Sequence, residues 1–302
     1  MNPERLQQAI ELYDRFTHDD WRDPGCSGGA SDPPMDRRDF FARMTLIAGS
    51  AAAATSLIAS IAASPAAAAI VPADDPRLST RTMTFDSPAG YKAYFAEPRT
   101  RSLKATVLVV HENRGLNDHI RDVARRIALE GFRAVAPDFL SPSGGTPANE
   151  DAAREAIGKL DLAKSTADAV AMLEELSKSS RGGKVGAVGF CWGGAFINRL
   201  AVAAGDKLDA GVVYYGPAPD PSEAVKIRAP LLIHHAGTDA RVAATLFPWV
   251  AALRAAGKQV TYQGYDGAHH AFNNDTSEER YNKEAAELAW GRTIRFFKRH
   301  LR

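Results

Sequence analysis

From about residue 80 to the C-terminus, short apolar runs alternate with segments whose apolar residues recur at helical spacing. The runs predict strands at 81–85, 91–95, 105–110, 134–136, 184–190, 210–215, 231–235 and 259–265. The segments between them predict helices at 117–130, 152–176, 193–204, 243–256 and 278–300. The first two strands flank a turn at 87–90 and are predicted to pair antiparallel. Strands that alternate with helices predict an α/β fold with a mostly parallel sheet and helices on both faces.

The first 75 residues have a different pattern. Arg37 and Arg38 precede a stretch from Met44 to Ala73 that contains no charged side chain. This arrangement resembles a twin-arginine export signal, with the small residues 67–69 available to a signal peptidase. The stretch is also long enough to span a bilayer as an uncleaved anchor, and a disordered alanine-rich linker is a third interpretation.

We therefore predict a leader at 1–75 and a folded domain at 76–302. The leader predicts a periplasmic or secreted protein that contacts the membrane only if the leader stays uncleaved. The 302 residues are 45% hydrophobic and 24% charged with a net charge of +1, and no sustained basic patch is present, so we expect no nucleic-acid partner. Cys26 lies in the leader and Cys191 in the domain, which excludes an intrachain disulfide in the domain.

Cys191 lies at the centre of the sequence Gly189-Phe190-Cys191-Trp192-Gly193, between a predicted strand and a predicted helix. Glycines two residues either side of a nucleophile allow a sharp strand-to-helix turn that exposes the nucleophile at the edge of a sheet. The helix N-terminus would favour the thiolate. The alternative is a small buried cysteine beside a glycine-rich turn.

Asp239 and His270 each follow a predicted strand, so the chain order is Cys191, Asp239, His270. Nucleophile, acid and base occur in this order in α/β-hydrolases. In such a triad the imidazole accepts the thiol proton and the carboxylate orients the imidazole. Taken singly, Asp239 is typical of a helix cap, and a loop histidine is usually structural or solvated.

Two histidine pairs, 234–235 and 269–270, are the only hint of a metal site in the sequence. No cysteine or carboxylate accompanies them at ligand spacing. We therefore expect neither a metal nor another cofactor.

The chain from about residue 80 onward resembles the dienelactone hydrolase family in three motifs: Gly-Phe-Cys-Trp-Gly-Gly at 189–194, Gly-Thr-Asp at 237–239 and Gly-Ala-His-His-Ala-Phe at 267–272. The resemblance implies an α/β-hydrolase fold and hydrolysis of a small ester or lactone through an acyl-enzyme. It also implies that His270, rather than His269, is the triad histidine.

The same resemblance assigns three further groups. Glu112 occupies the position of a family glutamate that interacts with the resting thiol. The backbone N–H groups of Asn113 and Trp192 correspond to the oxyanion hole. The alternative for Glu112 is a surface carboxylate paired with Arg114.

The two neighbourhoods in which the family places carboxylate-binding arginines, 138–142 and 272–275, contain none here. We therefore expect neutral esters and lactones to be favoured over carboxylated ones, unless Arg114 reaches the pocket. Two other functions are weighed against ester hydrolysis. One is a thiol-based redox or binding protein on the same fold, and the other is a dehalogenase, which is disfavoured because those enzymes use a carboxylate nucleophile.

Overall fold

The computed structural model describes residues 5, 8, 9, 12, 37–55, 71–86, 90–99, 105–179, 183–277 and 279–301. The chain divides into two compact units, Met1–Pro65 and Ala66–Arg302. Helix α1, Arg37–Ala48, lies in the first unit. In the described ranges, no helix has the length and hydropathy needed to cross a membrane. Cys26, the small residues 67–69 and residues 56–66 of the uncharged stretch lie outside these ranges.

A sheet of eight described strands forms the centre of the second unit, in the order β1-β2-β4-β3-β5-β6-β7-β8. The strands are β1 Leu78–Thr84, β2 Lys92–Pro98, β3 Thr106–Val110, β4 Arg133–Pro137, β5 Val185–Phe190, β6 Ala210–Tyr214, β7 Leu231–Ala236 and β8 Val260–Tyr265. Strand β2 pairs antiparallel with β1 and with β4. All other neighbours are parallel. The predicted mostly parallel α/β sheet and its antiparallel first pair are confirmed.

Helices cover both faces of the sheet. They are α2 Asp118–Leu129, α3 Glu150–Gly158, α4 Leu162–Ser179, α5 Trp192–Ala204, α6 Ala240–Ala255 and α7 Lys283–His300. Alternate residues of each strand point to opposite faces, so Val107 and Val109 pack in the cluster with α2 and α7. Leu108 and Val110 pack in the cluster with α4, α5 and α6. Strands buried on both faces explain the continuous apolar runs.

Two predicted helices differ most from the structure, and α6 begins at Ala240 rather than at 243. The segment predicted as one helix at 152–176 forms α3 and α4, because the Asp161 carboxylate accepts hydrogen bonds from the N–H groups of Ala163 and Lys164 and starts a second helix. The last helix begins at Lys283 rather than at 278, since Asn282 caps it by accepting a hydrogen bond from the Ala285 N–H. Neither change alters the position of the site.

The second unit includes residues that precede the predicted domain start at residue 76. Val71 is buried in the cluster with α2 and α7. Its N–H donates to Asp122 Oδ1 at 2.6 Å, and its carbonyl accepts from Arg125 Nε at 2.6 Å. These contacts tie the segment before β1 to α2.

Candidate active site

Cys191 lies between β5 and α5 in a backbone conformation that residues other than glycine rarely adopt, with φ 55° and ψ −110°. A Cβ atom on Gly189 would lie 2.1 Å from the Gly193 carbonyl oxygen. A Cβ atom on Gly193 would lie 2.4 Å from the Val110 carbonyl oxygen. The two glycines of the motif therefore allow the sharp turn, as the sequence predicted.

Among the described residues, three non-glycine residues have positive φ: Cys191, Tyr215 and Ala271. Tyr215 directly follows β6, and Ala271 directly follows His270. The rings of Tyr215 and His270 are in edge contact, with centroids 5.1 Å apart. Strained backbone that gathers in one place is typical of a functional site.

One chain of hydrogen bonds joins the three residues predicted to form the triad. His270 Nε2 is 3.0 Å from Cys191 Sγ, and His270 Nδ1 is 2.6 Å from Asp239 Oδ2. The ring can thus accept a proton from sulfur on one side while the carboxylate fixes its tautomer on the other. The geometry has the thiol, base and orienting acid in the order that nucleophilic catalysis requires.

The neighbouring His269 does not take part in this chain. It is exposed, and its Nδ1 lies 2.9 Å from Thr238 Oγ1. Asp239 also caps α6, because its Oδ1 accepts a hydrogen bond from the Val242 N–H at 3.1 Å. The capping interpretation and the triad interpretation of Asp239 therefore both describe real contacts, one for each carboxylate oxygen.

The resting thiol has a high pKa. Burial and the negative charge of Glu112 raise the pKa of Cys191 to about 11, against a smaller lowering by the Trp192 N–H. The helix N-terminus favours the thiolate as expected, through the Trp192 N–H, but burial and the charge of Glu112 outweigh it. Burial also opposes ionisation of Asp239, yet hydrogen bonds from His270 and the Val242 N–H hold the pKa of that carboxyl below its ordinary value.

Glu112 is buried beside the thiol and is not a surface residue. Only 5% of it is exposed. Its Oε2 accepts a hydrogen bond from Asn274 Nδ2 at 2.9 Å, and its Oε1 accepts from the Tyr215 hydroxyl at 3.4 Å. Arg114 instead pairs with Glu150 at 2.6 Å, so the surface-pair alternative for Glu112 is wrong.

The two backbone N–H groups predicted to form the oxyanion hole belong to Asn113 and Trp192. Asn113 lines the cleft together with Cys191 and His270. Its N–H has no hydrogen-bond acceptor in the described part of the chain. Trp192 directly follows Cys191, and its N–H lowers the pKa of the thiol. The role of both N–H groups as an oxyanion hole stays a prediction.

The cleft above Cys191 has a volume of 320 Å³, and four arginines line it: Arg114, Arg154, Arg241 and Arg280. Three of them face carboxylates, since Arg114 contacts Glu150, Arg154 contacts Asp151 at 2.9 Å, and Arg241 lies 3.8 Å from Asp239. Arg280 donates to the neutral Ser277 hydroxyl at 2.9 Å. The premise that the site lacks cationic partners is therefore wrong. Arginines from α3, α6 and the segment before α7 reach the cleft from positions remote in sequence.

The histidine pair at 234–235 is structural. His234 is fully buried and lies 2.8 Å from the Tyr265 hydroxyl and 3.0 Å from Thr293 Oγ1. His235 Nδ1 lies 2.9 Å from the Tyr262 hydroxyl. Within the described ranges, no group of three histidine, cysteine or carboxylate side chains is arranged to hold a metal ion.

Sequence reasoning missed Tyr215 and Asn274 as the partners of Glu112, and it also missed the cleft arginines other than Arg114. Tyr215 was counted as the last residue of a strand, although a position directly after a parallel strand is where site residues gather. Asn274 lies in the neighbourhood 272–275, where the sequence shows only that no arginine is present. No sequence signal identifies the arginines, because the direction of an exposed side chain depends on the fold.

The chain is similar to known proteins over most of the unit that carries this site. A family model described as the dienelactone hydrolase family matches residues 91–301. A "Putative carboxymethylenebutenolidase" of Saccharolobus solfataricus is 32% identical over 248 residues, which cover 70% of this chain and 95% of that protein. A protein of the same name from Methylorubrum extorquens is 33% identical over 225 residues, with 69% and 76% covered.

A solved structure is similar over nearly its whole length. It is the crystal structure of a "Putative Dienelactone Hydrolase" from Klebsiella pneumoniae, with a TM-score of 0.65 and 28% identity. The similarity covers 73% of this chain and 98% of that one. The α/β-hydrolase fold implied by the three sequence motifs is thereby confirmed.

Proposed function

Because this chain belongs to the dienelactone hydrolase family, and is therefore a hydrolase of esters and lactones, we propose that Cys191, His270 and Asp239 are its catalytic triad. The observation that carries the proposal is the continuous path from sulfur through both ring nitrogens to the carboxylate, with distances of 3.0 and 2.6 Å. This path of hydrogen bonds begins at the strained turn that presents Cys191 to the cleft.

The reaction proceeds in two steps. His270 Nε2 takes the thiol proton as Cys191 Sγ forms a bond to the substrate carbonyl carbon, and the N–H groups of Asn113 and Trp192 stabilise the oxyanion. The carbonyl re-forms, the bond to the alcohol oxygen breaks, and His270 gives its proton to that oxygen. Water, deprotonated by His270, then attacks the thioester and releases the acid, and the sulfur regains its proton.

The high pKa of the thiol has a place in this scheme. A pKa of about 11 means that Cys191 is protonated at neutral pH, so the thiolate forms only as His270 removes the proton. A redox-sensing cysteine instead has a low pKa and an accessible thiolate. The electrostatics of Cys191 therefore favour acyl transfer over the alternative of a thiol redox protein.

We also infer that the preferred esters and lactones carry a negatively charged substituent, which reverses the expectation from the sequence. Arginine forms paired, charge-assisted hydrogen bonds with carboxylates and phosphates. Arg280 is best suited to this role, because its described hydrogen bond is to a neutral hydroxyl. An anion that enters the cleft is also drawn by the other three arginines.

Steady-state kinetics with two aryl esters, alike except that one carries a carboxylate on its acyl part, test both proposals. Cys191→Ala should abolish turnover of both esters. The protein should show a higher kcat/KM for the carboxylated ester, and Arg280→Gln should reduce that preference about tenfold. Arg228→Gln, at an exposed site paired with Asp206, is the control. Full activity of Cys191→Ala overturns the triad, whereas a preference for the neutral ester overturns only the anion proposal.

We further propose that residues 1–75 act as a twin-arginine signal that directs the domain to the periplasm or beyond. Arg37 and Arg38 form the start of α1, and the uncharged stretch follows at Met44. Replacement of both arginines by lysine should retain the protein in the cytoplasm. Mass spectrometry of the exported protein distinguishes cleavage near residue 69 from an uncleaved anchor, and unchanged export of the double variant contradicts the proposal.

A further inference from the structure

His111 lies directly after β3 and is completely buried beneath the candidate site. Its ring stacks on the indole of Trp192, with centroids 5.3 Å apart and planes inclined by 14°. A second ring, Phe139, makes an edge contact with it, with centroids 5.7 Å apart. A histidine with no exposed surface that does not line the cleft cannot touch a substrate.

Both ring nitrogens of His111 have backbone partners. Nδ1 lies 2.7 Å from the Glu112 carbonyl oxygen, and Nε2 accepts a hydrogen bond from the Phe139 N–H at 3.3 Å. Since a carbonyl only accepts and an N–H only donates, these partners select the neutral tautomer with the proton on Nδ1. Burial likewise lowers the pKa of His111.

The Glu112 carbonyl belongs to the same peptide group as the Asn113 N–H. In a planar trans peptide the C=O and N–H bonds point in opposite directions, and no described peptide is cis. His111 Nδ1–H, together with the Gly115 N–H at 3.3 Å, therefore holds the carbonyl end and aims the N–H end into the cleft. A hydrogen bond at the carbonyl also polarises the N–H and makes it a stronger donor.

The stacked ring connects His111 to the other N–H group. Trp192 is the first residue of α5, and its indole also stacks on the ring of Phe196, with centroids 5.2 Å apart. These two ring contacts limit rotation of Trp192 and of the peptide that joins it to Cys191. One buried imidazole thus contacts the peptide of one donor and the side chain of the other.

We propose that His111 is a positioning residue that orients and polarises the oxyanion hole of this hydrolase. The proposal rests on the proposed function, because it assumes that Asn113 and Trp192 bind the oxyanion. His111 acts through the Glu112–Asn113 peptide and transfers no proton to the substrate.

Two substitutions separate the hydrogen bond of His111 from its packing. His111→Phe retains the stack on Trp192 but loses the donor to the Glu112 carbonyl. His111→Asn places an amide N–H near the position of Nδ1 but loses the stack. We expect His111→Phe to lower the rate of Cys191 acylation about tenfold, below the 10²–10³ loss on removal of an oxyanion donor. His111→Asn should acylate faster than His111→Phe although its Tm is lower.

Rapid mixing with a chromophoric ester gives the acylation rate, and infrared spectroscopy gives the carbonyl stretch of the acyl-enzyme. In His111→Phe the stretch should move to higher wavenumber, since weaker hydrogen bonds polarise the carbonyl less. NMR of imidazole nitrogens in the unmodified protein should find His111 with its proton on Nδ1, a result that does not depend on folding of a variant.

If the unmodified protein is acylated on Cys191 and His111→Phe is acylated at the same rate, the proposal for His111 is overturned but the proposed function stands. If the less stable variant, His111→Asn, is also acylated more slowly than His111→Phe, then His111 contributes only packing. A proton on Nε2 in the unmodified protein also contradicts the proposal. If the unmodified protein is never acylated on Cys191, the proposed function itself fails.

Discussion

Cys191 occupies a conformation that costs on the order of 1–3 kcal/mol, and its neighbours maintain it. The Cys191 N–H donates to the Tyr214 carbonyl at 3.0 Å, and the Cys191 carbonyl accepts from the Ala195 N–H at 3.0 Å. The turn is thus held by β6 on one side and by α5 on the other. Tyr215, with φ 39°, is held similarly by its N–H bond to the His234 carbonyl. The strain places sulfur beside His270.

His270→Ala should reduce ester turnover by at least about 10³-fold, whereas His269→Ala should retain most of it. Only His270 contacts both Cys191 and Asp239, and His269 contacts the Thr238 hydroxyl. Steady-state hydrolysis of an aryl ester by the two variants, both verified as folded by circular dichroism, provides the comparison. Equal losses in the two variants would mean that the base has been misassigned.

Glu112→Gln should make Cys191 react faster with iodoacetamide at pH 8. Burial and the Glu112 charge raise the thiol pKa to about 11, so removal of the charge lowers the pKa and increases the thiolate fraction. In the unmodified protein the alkylation rate should rise with pH up to about 11. Glu223→Gln, at an exposed pair with Lys226, serves as the control. A slower reaction of the Glu112 variant contradicts this electrostatic account.

The sequence was sufficient to predict the residues of the candidate triad, because each lies in the turn that follows a strand and parallel strands end at one edge of the sheet. It was insufficient for His111, Tyr215 and Asn274. Their contacts depend on side-chain directions set by tertiary packing. Tyr215 also requires a positive φ that no local preference of tyrosine indicates.

At the scale of elements, the central strands were the most predictable, since β3, β5 and β6 are buried on both faces and therefore mainly apolar, whereas the edge strand β1 is largely exposed. Helix boundaries were less predictable. Asp161 and Asn282 act as caps in the structure, but an Asp or Asn inside a helical pattern is equally typical of an exposed helical position. Loops that bring the arginines of α3 and α6 to one cleft have no signature in hydrophobic periodicity.

The segment between β8 and α7 is anchored to α2 by a buried ionic network. Asp275 contacts His119 and Arg126, and Arg126 also contacts Asp122. Burial alone would raise the pKa of Asp275, but hydrogen bonds from His119 and Arg126 lower it from 3.8 to about 2. The same segment supplies Asn274 to Glu112, so the network supports the site.

Asp275→Asn should lower the free energy of unfolding at pH 7 by on the order of 1–2 kcal/mol. A carboxyl whose pKa is depressed on folding stabilises the protein above its unfolded pKa and loses that contribution as pH falls. The difference between the two proteins should therefore shrink between pH 3.8 and about 2. Urea unfolding at a series of pH values measures it, with the exposed Asp118→Asn as control. A difference independent of pH would exclude the proposed ionisation linkage.

At the scale of the whole molecule, the second unit should fold without the first. A protein that begins at residue 70 should be soluble and cooperative, whereas one that begins at residue 76 should have a lower Tm. The longer deletion removes Val71, whose N–H and carbonyl satisfy the buried Asp122 and Arg125. Thermal unfolding of both proteins beside the full chain tests this. Equal Tm values would show that the segment before β1 adds nothing to the domain.

The central claim is that Cys191 carries the acyl group during turnover. Rapid acid quench of the full-length protein during hydrolysis of an aryl ester, followed by peptide mapping by mass spectrometry, tests it directly. We predict an acyl adduct on the peptide that contains Cys191, formed at least as fast as the steady-state rate and lost again by hydrolysis. Steady turnover with no adduct, or with an adduct on any other residue, would contradict the mechanism.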